Sequence, residues 1–81
     1  ELILIKVRVN KANRQDVISI ADIFRAKVVD VSSDAMVLEL TGSKSKLEAF
    51  ISLISDGNEI LELARTGVSG LSRGGDYVLF M

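Results

Sequence analysis

The sequence predicts an α+β domain in which two helices cover one face of a four-stranded antiparallel sheet. Three observations carry that prediction. Four short segments alternate apolar and polar residues with period two, two longer segments place apolar residues on a helical stripe, and their order along the chain is βαββαβ.

Leu2 to Val9 opens the pattern, setting Ile3, Ile5, Val7 and Val9 on one face and Leu2, Leu4, Lys6 and Arg8 on the other. Asn10-Lys11-Ala12 breaks the alternation. Asn13 is then the expected N-cap of a helix running to about Arg25, with Asp16 adding negative charge to its first turn. Its apolar stripe is Val17, Ile20, Ala21 and Phe24, which leaves Arg14, Gln15, Asp22 and Arg25 to face water. A β-branched strand from Lys27 to Ser32 follows almost at once, and Ser32-Ser33-Asp34 turns it into a third strand, Met36 to Thr41. So short a loop implies an antiparallel hairpin. Gly42 ends that strand, and Ser43 is the expected N-cap of a second helix to about Ser55, with Leu47, Phe50, Ile51 and Ile54 as its stripe. Asp56-Gly57-Asn58 stops the helix, and Glu59 to Thr66 is the fourth strand.

This order is the split βαβ, or ferredoxin-like, arrangement, and right-handed crossovers place strands one and three in the centre. The domain is expected to span residues 1–74. Residues 75–81 form a tail whose apolar run, Tyr77 to Met81, reads as an added strand, as a frayed end or as foreign to the native protein. On the sheet face away from the helices, Lys6 and Arg8 are expected near Glu39 and Glu62. Leu2, Leu4, Val28 and Val37 interrupt those charges with apolar surface, which fits either plain surface or a subunit contact.

Composition narrows the function. Eighty-one residues make one small domain with little stability to spare, so partnership would help it. The 10 basic and 11 acidic residues nearly cancel, removing the broad positive field that drives non-specific nucleic-acid or anionic-membrane binding. Cysteine and histidine are both absent, so the chain lacks disulfides and the common transition-metal ligand sets, and no carboxylate loop has magnesium or calcium spacing. No apolar stretch reaches the roughly 18–20 residues of a membrane span. The chain begins at Glu1, without Met and already inside a strand pattern, as expected of a domain excised from a longer polypeptide.

Catalytic chemistry is hard to find. Without His or Cys, acid–base work falls to carboxylates, lysines and Tyr77, and none stands in a recognisable constellation. Asp30 and Glu39 are placed to face each other across the hairpin, a pattern usual for solvated strand positions. Ser32, Ser33, Ser43 and Ser45 lie at turns and helix starts, where capping explains them. The glycine-bearing stretch from Gly67 to Gly75 lacks the Lys-Ser/Thr ending of a phosphate loop. The same strand order serves RNA-binding domains that stack bases on open-face aromatics, but Phe24 and Phe50 fall on helix stripes here, which argues against nucleic acid.

Several long ordered stretches are more specific than any of these. Ala21-Asp22-Ile23-Phe24-Arg25-Ala26-Lys27 with Val28-Val29-Asp30-Val31, then Thr41-Gly42 and Ala64-Arg65-Thr66-Gly67, resemble the C-terminal domain of the acetolactate synthase (acetohydroxyacid synthase) regulatory small subunit, over about Leu2 to Gly74. The resemblance implies a non-catalytic domain that self-associates, as a homodimer, and helps couple feedback inhibition by a branched-chain amino acid, typically valine, to the catalytic subunit. In that family the inhibitor binds an N-terminal ACT domain that this chain lacks, and thiamine diphosphate, magnesium and FAD belong to the catalytic subunit, so no cofactor is carried over. It further implies a cytoplasmic protein, or one of the plastid stroma in a plant or alga. Two departures stand out: Ser55-Asp56-Gly57-Asn58 replaces the usual Pro-Tyr-Gly turn and is one residue longer, and Val68 to Gly74 lacks the arginine that usually follows Thr-Gly. The candidate partner contacts are charged or polar residues at element ends: Arg25 and Lys27 around the helix-to-strand junction, and Arg65 with Thr66 at the end of strand four. Helix-dipole compensation and local ion pairing are the plain alternatives for these charges. A free-standing amino-acid sensor and a carboxylate-only enzyme are the competing functions.

Overall fold

A computed structural model describes residues 1–66 together with the backbone of a strand at 77–80. The elements are β1 (Leu2–Arg8), α1 (Arg14–Phe24), β2 (Lys27–Val31), β3 (Ala35–Thr41), α2 (Lys44–Ser55), β4 (Ile60–Thr66) and β5 (Tyr77–Phe80). The sheet order is β2-β3-β1-β4-β5, and every neighbouring pair is antiparallel. The first four strands and two helices make the expected ferredoxin-like fold, with β1 and β3 inside. A fifth strand, Tyr77–Phe80, pairs with β4, so the sheet has one strand more than the four expected. The glycine-bearing stretch 67–75 lies outside the described residues.

One face of the sheet holds the core. Ile3, Ile5, Val7 and Val9 from β1 and the residue after it, Met36, Leu38 and Leu40 from β3, and Leu63 from β4 meet Val17 and Ala21 of α1 and Leu47, Phe50 and Ile54 of α2. Phe24 packs edge-on against Phe50 with ring centroids 5.2 Å apart, a geometry that adds about 0.5–1.5 kcal/mol to simple burial. This contact joins the two helices near the end of α1.

Helix starts differ in how they are capped. Ser43 behaves as expected, its hydroxyl accepting from Lys46 N at 3.2 Å. Asn13 does not cap α1 with its side chain. Instead Asn10 Oδ1 accepts from Ala12 N and Asn13 N, and Asn13 Oδ1 accepts from Asn10 N at 2.7 Å. This reciprocal arrangement is a capping box one turn earlier, built from Asn-x-x-Asn. Asn13 Nδ2 donates to Arg8 O and to Asn58 Oδ1, and Asn58 Nδ2 donates to Ile54 O, so one asparagine chain ties the end of β1 to the last turn of α2.

Two bulges adjust the register. Val29 has no partner between Val28↔Leu38 and Asp30↔Val37, and Leu61 has none between Lys6↔Glu62 and Val7↔Ile60. The β2–β3 register corrects two expectations. Glu39 faces Lys27, not Asp30, and Val28 pairs with the buried Leu38, which places it on the helix side of the sheet instead of the open face. Val28 is nevertheless 42% exposed, because β2 is an edge strand whose five residues are all solvent-accessible.

Replacing Asn10 with Ala removes the acceptor of two backbone N–H groups, and we expect a loss of about 0.5–2 kcal/mol of stability. Chemical unfolding of the two proteins checks it, with the helical signal retained at low denaturant.

Candidate interaction surface

Positions at the end of α1 follow from how that helix stops. Arg25 takes the left-handed conformation, φ 62° and ψ 38°, while its N–H donates to Asp22 O at 3.1 Å and Ala26 N donates to Ala21 O at 2.8 Å. These bonds satisfy the last helical carbonyls, and glycine is the residue such a cap ordinarily uses. An arginine here accepts a steric penalty that glycine avoids. Its side chain is exposed, as is that of Lys27 two residues on. Neither makes an ion pair among the described residues, although Lys27 faces Glu39 and Arg25 follows Asp22 by one turn. Ile23, in the last turn of α1, is 72% exposed.

Arg65 and Thr66 are held differently. Arg65 pairs with Ile3 in register, and its Nη2 lies 3.5 Å from Glu1 Oε1, with the two side chains only 21% and 16% exposed. The Thr66 hydroxyl accepts from Leu2 N at 2.9 Å and lies 3.3 Å from Leu2 O, closing the end of β4 onto β1. Both residues are therefore engaged within the domain, in the pairing that was the plain alternative for Arg65. Even so, they border a shallow depression of about 200 Å³ lined also by Leu2, Leu4 and Ala64. A second depression of about 220 Å³ shares Leu4 and Ala64 and adds Lys6, Val37 and Glu62.

These depressions lie on the open face of the sheet. The register draws a row across it, Lys27, Glu39, Leu4 and Ala64, with about 4.8 Å between strands. Lys27 thus sits at the edge of the same end of the sheet that carries Arg65 and Thr66. The expected mixture of charge and apolar surface is present. Lys6 Nζ lies 3.8 Å from Glu62 Oε2, while Arg8 pairs with Glu59 at 2.8 Å and reaches Asp34 at 4.0 Å, not with Glu39 or Glu62. These pairs are roughly half exposed and contribute at most about 0.2–1 kcal/mol each. Leu4, 39% exposed, is the apolar residue at the centre of the strip.

A third concavity, of about 400 Å³, opens where the start of α1 meets the end of α2 and is lined by Asp16, Ser19, Ile20, Leu53, Asp56 and the linked Asn13 and Asn58. Sequence reasoning missed it, since its walls come from two distant segments. Among the described residues there is no group of three or more acidic side chains placed to hold a metal, and no helix is long and apolar enough to cross a membrane.

Comparison with known proteins fits this geometry to a family. A family profile described as the small subunit of acetolactate synthase matches residues 1–74. The chain belongs to the acetolactate synthase small-subunit family. The acetolactate synthase small subunit of Buchnera aphidicola is 39% identical over 74 residues, covering 91% of this chain and 47% of that protein. The small subunit of Mycolicibacterium smegmatis is 45% identical over 74 residues, covering 91% of this chain and 43% of that protein. The crystal structure of the Thermotoga maritima small subunit superposes with a TM-score of 0.75 at 37% identity, over 98% of this chain and 42% of that one. The chain spans about half the length of the curated small subunits it matches.

Within this small-subunit domain, Thr66→Val keeps the shape of the side chain and removes the hydroxyl that Leu2 uses. We expect a loss of about 1 kcal/mol. Lys6→Ala, which breaks only an exposed ion pair, is expected to cost less in the same unfolding measurement.

Proposed function

We propose that the chain is the C-terminal, non-catalytic domain of an acetolactate synthase regulatory subunit, which contacts the catalytic subunit and helps couple feedback inhibition by valine to it. The observation that carries the reading is the family match over residues 1–74. Two features of the surface support it. The apolar strip of Leu2, Leu4, Val37 and Ala64 on the open face suits self-association into a homodimer, with Arg65 and Thr66 at its border. Arg25 and Lys27 stand exposed at the helix-to-strand corner, where a second protein can reach them.

Coupling of this kind requires the catalytic subunit to favour one arrangement of the regulatory subunit over another, and coupling free energies are typically about 1–3 kcal/mol. In this scheme the domain supplies contacts and rigidity, while the thiamine diphosphate-dependent chemistry stays on the catalytic subunit.

The test compares the whole regulatory subunit with one lacking this domain, each added to the catalytic subunit from the same source. The whole subunit is expected to raise synthase activity and confer valine sensitivity, and the truncated one to lose at least the valine response. Equal valine inhibition with and without the domain would contradict the coupling role. Saturable amino-acid binding by the domain, with no effect on the synthase, would favour a sensor instead.

A further inference from the structure

We propose that the outer edge of β2 is a self-association surface, on which a second copy of the chain lays its own β2 antiparallel. One sheet then runs through both copies, and the contact is separate from the open-face strip of Leu4 and Ala64. Its starting point is where exposed apolar residues gather. Of the six large hydrophobic side chains that stand exposed among the described residues, three are Val28, Val29 and Val31, on one five-residue strand. β2 ends the sheet, so no strand covers its outer backbone groups. An edge carrying β-branched apolar residues is a ready template for another strand.

The charges of β2 select the occupant. Lys27 faces Glu39 and Asp30 faces Val37, which in turn face Leu4 and Lys6 of β1, so both charges lie on the open face of the sheet. Val28 and Val31, opposite the buried Leu38 and Met36, lie on the helix side. Neither Lys27 nor Asp30 makes an ion pair among the described residues. A two-fold axis normal to the sheet keeps the two open faces on one side and reverses the second β2, bringing its Asp30 towards Lys27 and its Lys27 towards Asp30. Opposite and diagonal cross-strand neighbours are both within reach of a lysine. On the helix side valine meets valine. A parallel second copy would set Lys27 beside Lys27, and a wholly acidic or wholly basic segment would be opposed by one of the two charges, so the reversed strand is its own complement. The bulge at Val29 shortens the regular ladder and leaves orientation to these side chains. Because each copy uses its β2 edge once, the contact closes as an isologous dimer and does not propagate.

The experiment measures self-association of the chain by sedimentation equilibrium, with thermal unfolding alongside, because Lys27→Asp also sets an acid opposite Glu39. Asp30→Lys, which faces Val37, carries no such cost. Each single exchange places like charges across the two-fold and is expected to weaken association roughly tenfold or more. The double exchange, Lys27→Asp with Asp30→Lys, is expected to restore it to within about threefold of wild type. In wild type, the amides of β2 are expected to exchange more slowly where the dimer forms than where dilution has dissociated it. Association unaltered by either single exchange, or no stronger in the double exchange than in the singles, would overturn the edge contact. Loss of association in Leu4→Glu, with both single exchanges at wild-type strength, would assign it to the open-face strip instead. A wild-type chain that stays monomeric at millimolar concentration would overturn both contacts.

Discussion

The domain depends on the inward face of β1. Ile3, Ile5 and Val7 have no solvent exposure, and β1 is the strand that pairs with both β3 and β4. Side chains alternate strictly along a strand, so a slip of one residue would drive Lys6 and Arg8 into the core and bring three aliphatic residues out. That constraint fixes the register of the neighbours and with it every surface position discussed above. Leu4 and Lys6 must face away from the helices, Arg65 must lie beside Ile3, and Thr66 must meet Leu2. The two bulges, at Val29 and Leu61, sit on β2 and β4, where they take up mismatch without displacing β1.

Much of this was legible because the deciding signals are local and periodic. The alternation of LILIKVRV, the stripe through Val17, Ala21 and Phe24, and the Ser43 cap each act over a few residues, and each appears in the fold where the pattern put it. The sequence misled wherever a second segment decides. Asn13 has the residue type of an N-cap, but its side chain is drawn to Asn58, 45 positions away, while Asn10 does the capping. Alternation alone placed Val28 on the open face; pairing with Leu38 and the bulge after it reversed that, while the hairpin register sets Asp30 opposite Val37 and not Glu39. Of the four candidate contact residues, nothing in the sequence separated Arg65 and Thr66, which are engaged by Glu1 and Leu2, from Arg25 and Lys27, which stand exposed without ion pairs among the described residues. The strained backbone of Arg25 has no sequence signature at all, since arginine is common near helix ends for its charge alone.

The surface therefore divides into parts with different physical character. One end of the open sheet combines a shallow apolar strip with side chains already satisfied by the domain itself, the condition of a face that can be covered without stranding buried charge. The α1–β2 corner instead leaves the side chains of Ile23, Arg25 and Lys27 exposed. The regulatory role proposed above would draw on both kinds of surface.

The most direct measurement is amide hydrogen exchange of the full regulatory subunit, alone and with the catalytic subunit. The account predicts that adding the catalytic subunit slows exchange in the segment from Ile23 to Arg25, leaving the amides of β1 protected to the same degree in both states. Unchanged exchange across that segment in a complex shown to be formed would contradict it.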